Sequence, residues 1–183
     1  MTKLFIINKN NFLKIPNVRQ SNDYSCGVAC LMSILAYYDK FDGNENDLGK
    51  KLKTTYEEGT EPDNIVKVAK EYGLKSYIKE HCTIDDLKKF VENKIPVIIS
   101  YQAWTNRKRN INWQKIESDG HYSVLIGIDD DKVYFSDPSL LNKIGFLSIK
   151  ELMDRWHDEG YERMCIIVMG NKKENIEKFE KIK

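Results

Sequence analysis

The stretch Cys26–Tyr38 constrains this chain more than any other. Val28, Leu31, Met32, Leu35 and Tyr38 recur at three- and four-residue steps, and almost nothing polar interrupts them. A helix on the surface of a fold shows polar residues on its outward side; one that lacks them is enclosed by the rest of the molecule. The spacing therefore predicts a central, buried helix from Cys26 to Asp39. Just before it, Ser21-Asn-Asp-Tyr-Ser25 is a cluster of turn formers and helix caps. The helix should start abruptly, with Cys26 in its first turn. Upstream, residues 10–19 read as an extended approach ending at Pro16.

Further helices are expected at 45–52, with Leu48 and Leu52 inward, and at Glu61–Tyr72, with Pro62 in the first turn and Gly73 as the stop. Leu74–Lys79 reads as a short strand. Thr83 caps a helix over 83–93 that turns Ile84, Leu87 and Val91 inward. From residue 95 the period changes. Ile95–Tyr101, His121–Ile128 and Val133–Ser136 are β-rich runs, the last two joined by the hairpin turn Asp129-Asp-Asp-Lys132. Ser148 caps a last helix to about His157, and Arg163–Met169 is a final strand. Helices first and strands second predict an α+β domain, its helices segregated against an antiparallel sheet. The length suits one domain, expected over 1–170, with 171–183 a charged tail. Segment 102–118 has little periodicity and is long for a hairpin connection, the usual property of a binding loop or lid. It carries Trp104, Trp113 and Arg107-Lys-Arg109, a weak pointer to an acidic or aromatic ligand.

The charge balance narrows the partners. Lys and Arg number 29 against 28 Asp and Glu, so no excess charge draws the chain to nucleic acid or to an anionic membrane. No run reaches the roughly 18–20 apolar residues that span a bilayer, so no membrane insertion is expected. The four apolar residues near Met1 fall short of the roughly 7–15 of a signal-peptide core; the expected localisation is cytoplasmic. Cys26, Cys30, Cys82 and Cys165 match neither a disulfide framework nor paired zinc ligands. No metal and no cofactor are expected.

The chemistry centres on Cys26. A thiol is a useful nucleophile only as thiolate, and a helix N-terminus and a neighbouring imidazole both favour that form. Gly27 places no side chain in the path of a substrate carbonyl. The backbone N–H of Cys26 points into the same space and can help hold an oxyanion, with the Gln20 amide as second donor. A general base must come from the strand half. His121 opens an apolar strand directly after Gly120, and Asp137 ends the next strand before Pro138. Both lie at the strand ends away from the turn at 129–132, so their side chains return to one end of the sheet and the carboxylate can orient the imidazole.

Gln20-x5-Cys26-Gly27, then His121, then Asp137-Pro138 resembles the double-glycine leader peptidases, the bacteriocin-processing members of the papain-like clan. The resemblance spans roughly residues 15–140, including Val97-Ile-Ile and the Gly-Ile-Asp-Asp-Asp hairpin. It implies a papain-like fold with Cys26 as nucleophile, His121 as base, Asp137 orienting the imidazole and Gln20 in the oxyanion hole. It further implies a peptide or protein substrate, cleavage after small residues such as a double glycine, and association with an exporter. The best-known members are fused to an exporter; this chain has neither membrane runs nor an ATPase phosphate loop, and so resembles the stand-alone members. Two other readings stand beside hydrolysis: a papain-like acyltransferase, in which an amine takes the acyl group, and a non-catalytic peptide-binding module.

Overall fold

A computed structural model describes residues 12–105 and 111–171. The Arg107-Lys-Arg109 run and all but the first residue of the 171–183 tail lie outside the described residues. The elements in chain order are α1 (Cys26–Tyr37), α2 (Glu45–Leu52), α3 (Pro62–Glu71), β1 (Lys75–Lys79), α4 (Ile84–Glu92), β2 (Val97–Gln102), β3 (Gly120–Ile128), β4 (Lys132–Ser136), β5 (Ile144–Ser148), α5 (Ile149–Arg155), β6 (His157–Asp158), β7 (Tyr161–Glu162) and β8 (Cys165–Met169). Caps set the helix starts where they were expected. Thr83 and Ser148 each form a reciprocal cap, with Asp86 and Glu151 three residues on.

Six strands form one antiparallel sheet in the order β1-β8-β2-β3-β4-β5. Alternate residues of a strand point to opposite faces, and both faces here are apolar. Ile98, Val124, Ile166 and Val168 pack with Leu31, Ile34, Leu52 and Ile65 of α1–α3. Val97, Ile99, Leu125 and Ile167 pack with Leu87 and Val91 of α4, Leu152 of α5 and Trp156. The first three helices thus cover one face, as expected of an α+β domain, while α4 and α5 close the other. α1 is as enclosed as its sequence demands: Val28, Ala29, Cys30, Leu31, Ile34 and Leu35 are all buried. Each of its larger aliphatic side chains stabilises the fold by about 1.5–3 kcal/mol before the cost of ordering it.

Two elements go beyond the sequence reading. β5 is an edge strand whose Phe146 is exposed, so its own pattern is weak and its pairing with β4 makes it a strand. The last helix ends at Arg155 rather than His157, because His157 and Asp158 enter a two-stranded hairpin with β7. Register also differs from a simple hairpin. The β3–β4 ladder is interrupted between Leu125 and Gly127, with Ile128 opposite Val133 but Val124 opposite Ser136. The Phe12 ring lies so close over Gly127 that a Cβ there would meet it at 2.4 Å. The bulge moves the partner line along by one, so that the register carried past Ser136 sets Asp137 level with Ser123 and diagonal to His121, one position nearer to it than an unbroken ladder would.

Candidate active site

Three of the expected residues meet. α1 delivers Cys26, buried at its first position. β3 delivers His121 and the end of β4 delivers Asp137, both buried. The His121 Nε2 lies 3.1 Å from Asp137 Oδ1. Cys26 acts on the same imidazole through a side-chain hydrogen bond that raises its pKa, and with Nε2 held by the carboxylate, Nδ1 is the nitrogen left for sulfur.

The carboxylate is itself held from several sides. Ser139 N–H donates to Oδ1 at 2.7 Å; Trp104 Nε1–H and the Tyr101 hydroxyl donate to Oδ2 at 3.3 and 3.4 Å. Tyr101 stands opposite His121 in the β2–β3 ladder, and both Tyr101 and Trp104 present their rings edge-on to the imidazole. Such a shell restricts the imidazole to one orientation. Trp104 reaches this position from a left-handed backbone conformation, φ +57°, just past the end of β2.

Charge follows from this packing. Burial acts to lower the His121 pKa, but hydrogen bonds to Asp137 and Cys26 outweigh it, and the imidazole is pushed up to about 9. Burial acts on Asp137 in the opposite sense from its partner, and the His121 hydrogen bond and charge hold that carboxyl below its usual range. Cys30, one turn along α1, is a different case. It is fully buried, its thiol donates to the Tyr122 carbonyl at 3.3 Å, and burial with the Cys26 and Asp137 charges pushes its pKa well up.

The first turn of α1 is open to charge. Ser25 makes no side-chain cap, and the turn carries no acidic residue. The dipole end of the helix therefore faces the thiol without a competing carboxylate on its own first turn. Gly27 has a different reason from the one its sequence position suggests. A Cβ there would lie 2.8 Å from Thr60 Cβ and 3.2 Å from Tyr122, so the glycine lets the α2–α3 connection and β3 close on α1.

Gln20 is the fourth expected residue, and the structure anchors it beside the others. Its backbone N–H donates to the Pro138 carbonyl at 3.0 Å and its Oε1 accepts from Ser139 Oγ, which ties it to the residues after Asp137. Its Nε2 donates to the Asn22 carbonyl at 2.7 Å, leaving one amide hydrogen uncommitted in that bond.

A cleft of about 530 Å³ opens beside the thiol, lined by Cys26, Gly120 and Tyr122 and by residues of the α2–α3 connection, the 102–118 segment and the β6–β7 hairpin. The 102–118 segment supplies Glu117 and Ser118 to this wall. Its Trp113 packs under the Arg155 guanidinium at 3.9 Å, away from the thiol. Sequence reasoning did not single out Tyr101, Trp104 as a partner of Asp137, or Asp158 in the cleft wall. Nor did it single out the acidic Glu57-Glu58-Gly-Thr-Glu61 run, although that pattern stands in the sequence. Among the described residues no cluster of His, Cys, Asp and Glu could hold a metal ion, and no helix is long and apolar enough to cross a membrane.

The sequence profile of the Peptidase_C39 like family matches residues 12–162, most of the chain and all three residues of the cluster. The chain belongs to the Peptidase_C39 like family. Solved structures share its fold. A putative C39-like peptidase from Bacillus anthracis aligns with a TM-score of 0.68 at 20% identity, covering 87% of this chain and 96% of that one. A double glycine motif protease from an AMS/PCAT transporter, solved with the leader peptide, gives 0.62 at 21% identity, covering 86% and 92%. The peptidase domain of Streptococcus ComA, a bi-functional ABC transporter, gives 0.61 at 21%, covering 84% and 97%. A comparison with proteins of curated function finds no match. The architecture is the papain-like α+β fold of C39 peptidase domains.

Proposed function

We propose that this C39-like chain is a cysteine peptidase that cleaves a peptide bond through an acyl-thioester on Cys26. The observation that carries the reading is one hydrogen-bonded line, Cys26 to His121 to Asp137, ending in the wall of a cleft. An imidazole that stays protonated to about pH 9 is the counter-ion a thiolate needs at neutral pH. Cys26 Sγ attacks the scissile carbonyl carbon and forms the C–S bond, and the carbonyl π pair moves to oxygen. The Cys26 N–H and the free amide hydrogen of Gln20 are the donors offered to that oxyanion. His121 then gives its Nδ1 proton to the amine nitrogen as the C–N bond breaks. In the second half His121 takes a proton from water, the water oxygen attacks the thioester carbon, and the C–S bond breaks to release the acid.

The finer features of this reading follow the relatives. Cleavage after small residues such as a double glycine, and work beside an exporter, are supported by the likeness to a double glycine motif protease and to an ABC transporter's peptidase domain. A reducing compartment such as the cytoplasm suits a thiol nucleophile and four unpaired cysteines. One catalytic domain to about residue 170 agrees with the matched span 12–162. A peptide-library digest followed by mass spectrometry, with Cys26→Ala as control, tests the reading. Products ending in a new carboxylate, made by the parent protein alone, are expected. Products joined to an added amine point to acyl transfer, and no product in either protein overturns the enzymatic reading in favour of a binding module.

A further inference from the structure

We infer that the cleft beside Cys26 takes a cationic peptide, with a lysine or arginine side chain of the substrate lying among Glu57, Glu58, Glu61, Glu117 and Asp158 while a neighbouring peptide bond meets the thiol. The place of the groove rests on the peptidase reading above; the carboxylates determine what it admits.

The lining is one-sided. Seven carboxylates and no basic side chain border this cleft, in a chain whose total charge is only +1. Among the described residues, none of the seven enters an ion pair. A concave wall of uncompensated like charge focuses its field into the cleft and attracts the opposite charge. Asp158 is the most enclosed of the set, and its carboxylate is held by neutral donors only: the Ser100 hydroxyl, the Gln102 amide at 3.4 Å and the Glu159 N–H at 3.0 Å. It lies against Gly120, where a Cβ would come within 2.7 Å of Oδ2. A carboxylate is thus built into the wall one residue before His121, and the glycine makes the room for it. The phenols of Tyr122 and Tyr161 register the same field. Burial first, and then the charges of Asp158 and Cys26 on Tyr122 and of Asp63 and Glu61 on Tyr161, push both upward.

The shape selects an elongated organic cation over a metal ion. No three of the described carboxylates, cysteines or histidines converge as metal ligands. The Tyr24 and Tyr56 rings, edge-to-face at 5.8 Å, add an aromatic wall with Tyr56 largely exposed. Such a wall suits the apolar stem of a lysine or the face of a guanidinium. The hint drawn from Trp104, Trp113 and Arg107-Lys-Arg109 pointed to an acidic or aromatic ligand, whereas the wall that the described part of the 102–118 segment contributes carries Glu117.

Binding tests the inference separately from catalysis. The Cys26→Ala protein is titrated at pH 7 into fluorescein-labelled decapeptides that differ only in carrying Lys, norleucine or Glu at two central positions, with fluorescence anisotropy as readout. The Lys peptide should bind at least about tenfold tighter than the Glu peptide, the sum of several partly exposed charge contacts, and the margin should shrink in 0.5 M salt. Glu57→Gln, Glu58→Gln, Glu61→Gln and Glu117→Gln together remove four exposed charges at constant size and should bring the two peptides to within about threefold. Equal binding of Lys and Glu peptides, or a Lys preference untouched by the four substitutions, overturns the inference whether or not the protein cleaves. In the digest, Lys or Arg should be enriched within about three residues of the cut; cleavage without that enrichment overturns the inference and leaves the peptidase reading standing. Loss of cleavage with the Lys preference in binding intact removes the chemistry and keeps the cation-binding cleft.

Discussion

Asp137→Asn isolates the charge that holds His121, and its consequence depends on pH in a way a packing defect does not. The imidazole rises from 6.5 to about 9 in the folded protein although burial works against it. A folded-state pKa above the unfolded one means that protonation favours the folded state. That contribution is complete below pH 6.5, declines as pH rises toward 9, and is gone above it. Linkage over about 2.5 pH units gives about 3.3 kcal/mol at pH 5.5 and about 0.2 kcal/mol at pH 9.5, at 1.36 kcal/mol per unit. In the asparagine variant the amide keeps the shape of the site, but burial acts on the imidazole without an opposing carboxylate. Asp137 shares the raising of the imidazole with Cys26, which stays in place, so the variant should be less stable than the parent by up to about 3 kcal/mol more at pH 5.5 than at pH 9.5. Urea unfolding followed by far-UV circular dichroism at both pH values, parent beside variant, measures the difference. The Asp137 carboxyl lies below its ordinary range and stays ionised throughout this window, so it adds no slope of its own. A penalty equal at the two pH values within about 0.5 kcal/mol would refute the account of His121 as an imidazolium held by Asp137.

Iodoacetamide at pH 7 should label Cys26 before Cys30, Cys82 and Cys165, read by peptide mass spectrometry: Cys26 borders the cleft, whereas the other three are almost wholly inaccessible. Labelling of Cys30 at the same rate would remove the nucleophile assignment. Gly27→Ala should cost about 1–3 kcal/mol, because the new methyl must displace the Thr60 side chain or the Tyr122 ring, and thermal or urea unfolding reads that loss. An unchanged midpoint would mean that the α2–α3 connection yields freely.

The order of the elements, the buried helix behind Cys26, the caps at Thr83 and Ser148 and the general α+β division were legible in the residues themselves. Each depends on local periodicity or on a hydrogen bond between near neighbours in the chain. Cys26, His121 and Asp137 were legible for a related reason: a helix start and the two ends of a hairpin are places that sequence marks well. β5 was not legible, because an edge strand with Gly145 and an exposed Phe146 carries little pattern and owes its state to β4. Nor was the β3–β4 bulge, beside which Phe12 packs over Gly127 from more than a hundred residues away. The shell of Tyr101 and Trp104 around Asp137, and the reason for Gly27, likewise depend on surfaces that meet only after the sheet has formed. The acidic wall is the clearest division between the two. A chain with 29 basic and 28 acidic residues is balanced on paper, and only folding gathers Asp23, the Glu57–Glu61 run, Glu117 and Asp158 from four distant stretches into one cleft beside Cys26. Electrostatic potential is a property of distances in space, and a sequence lists charges without those distances.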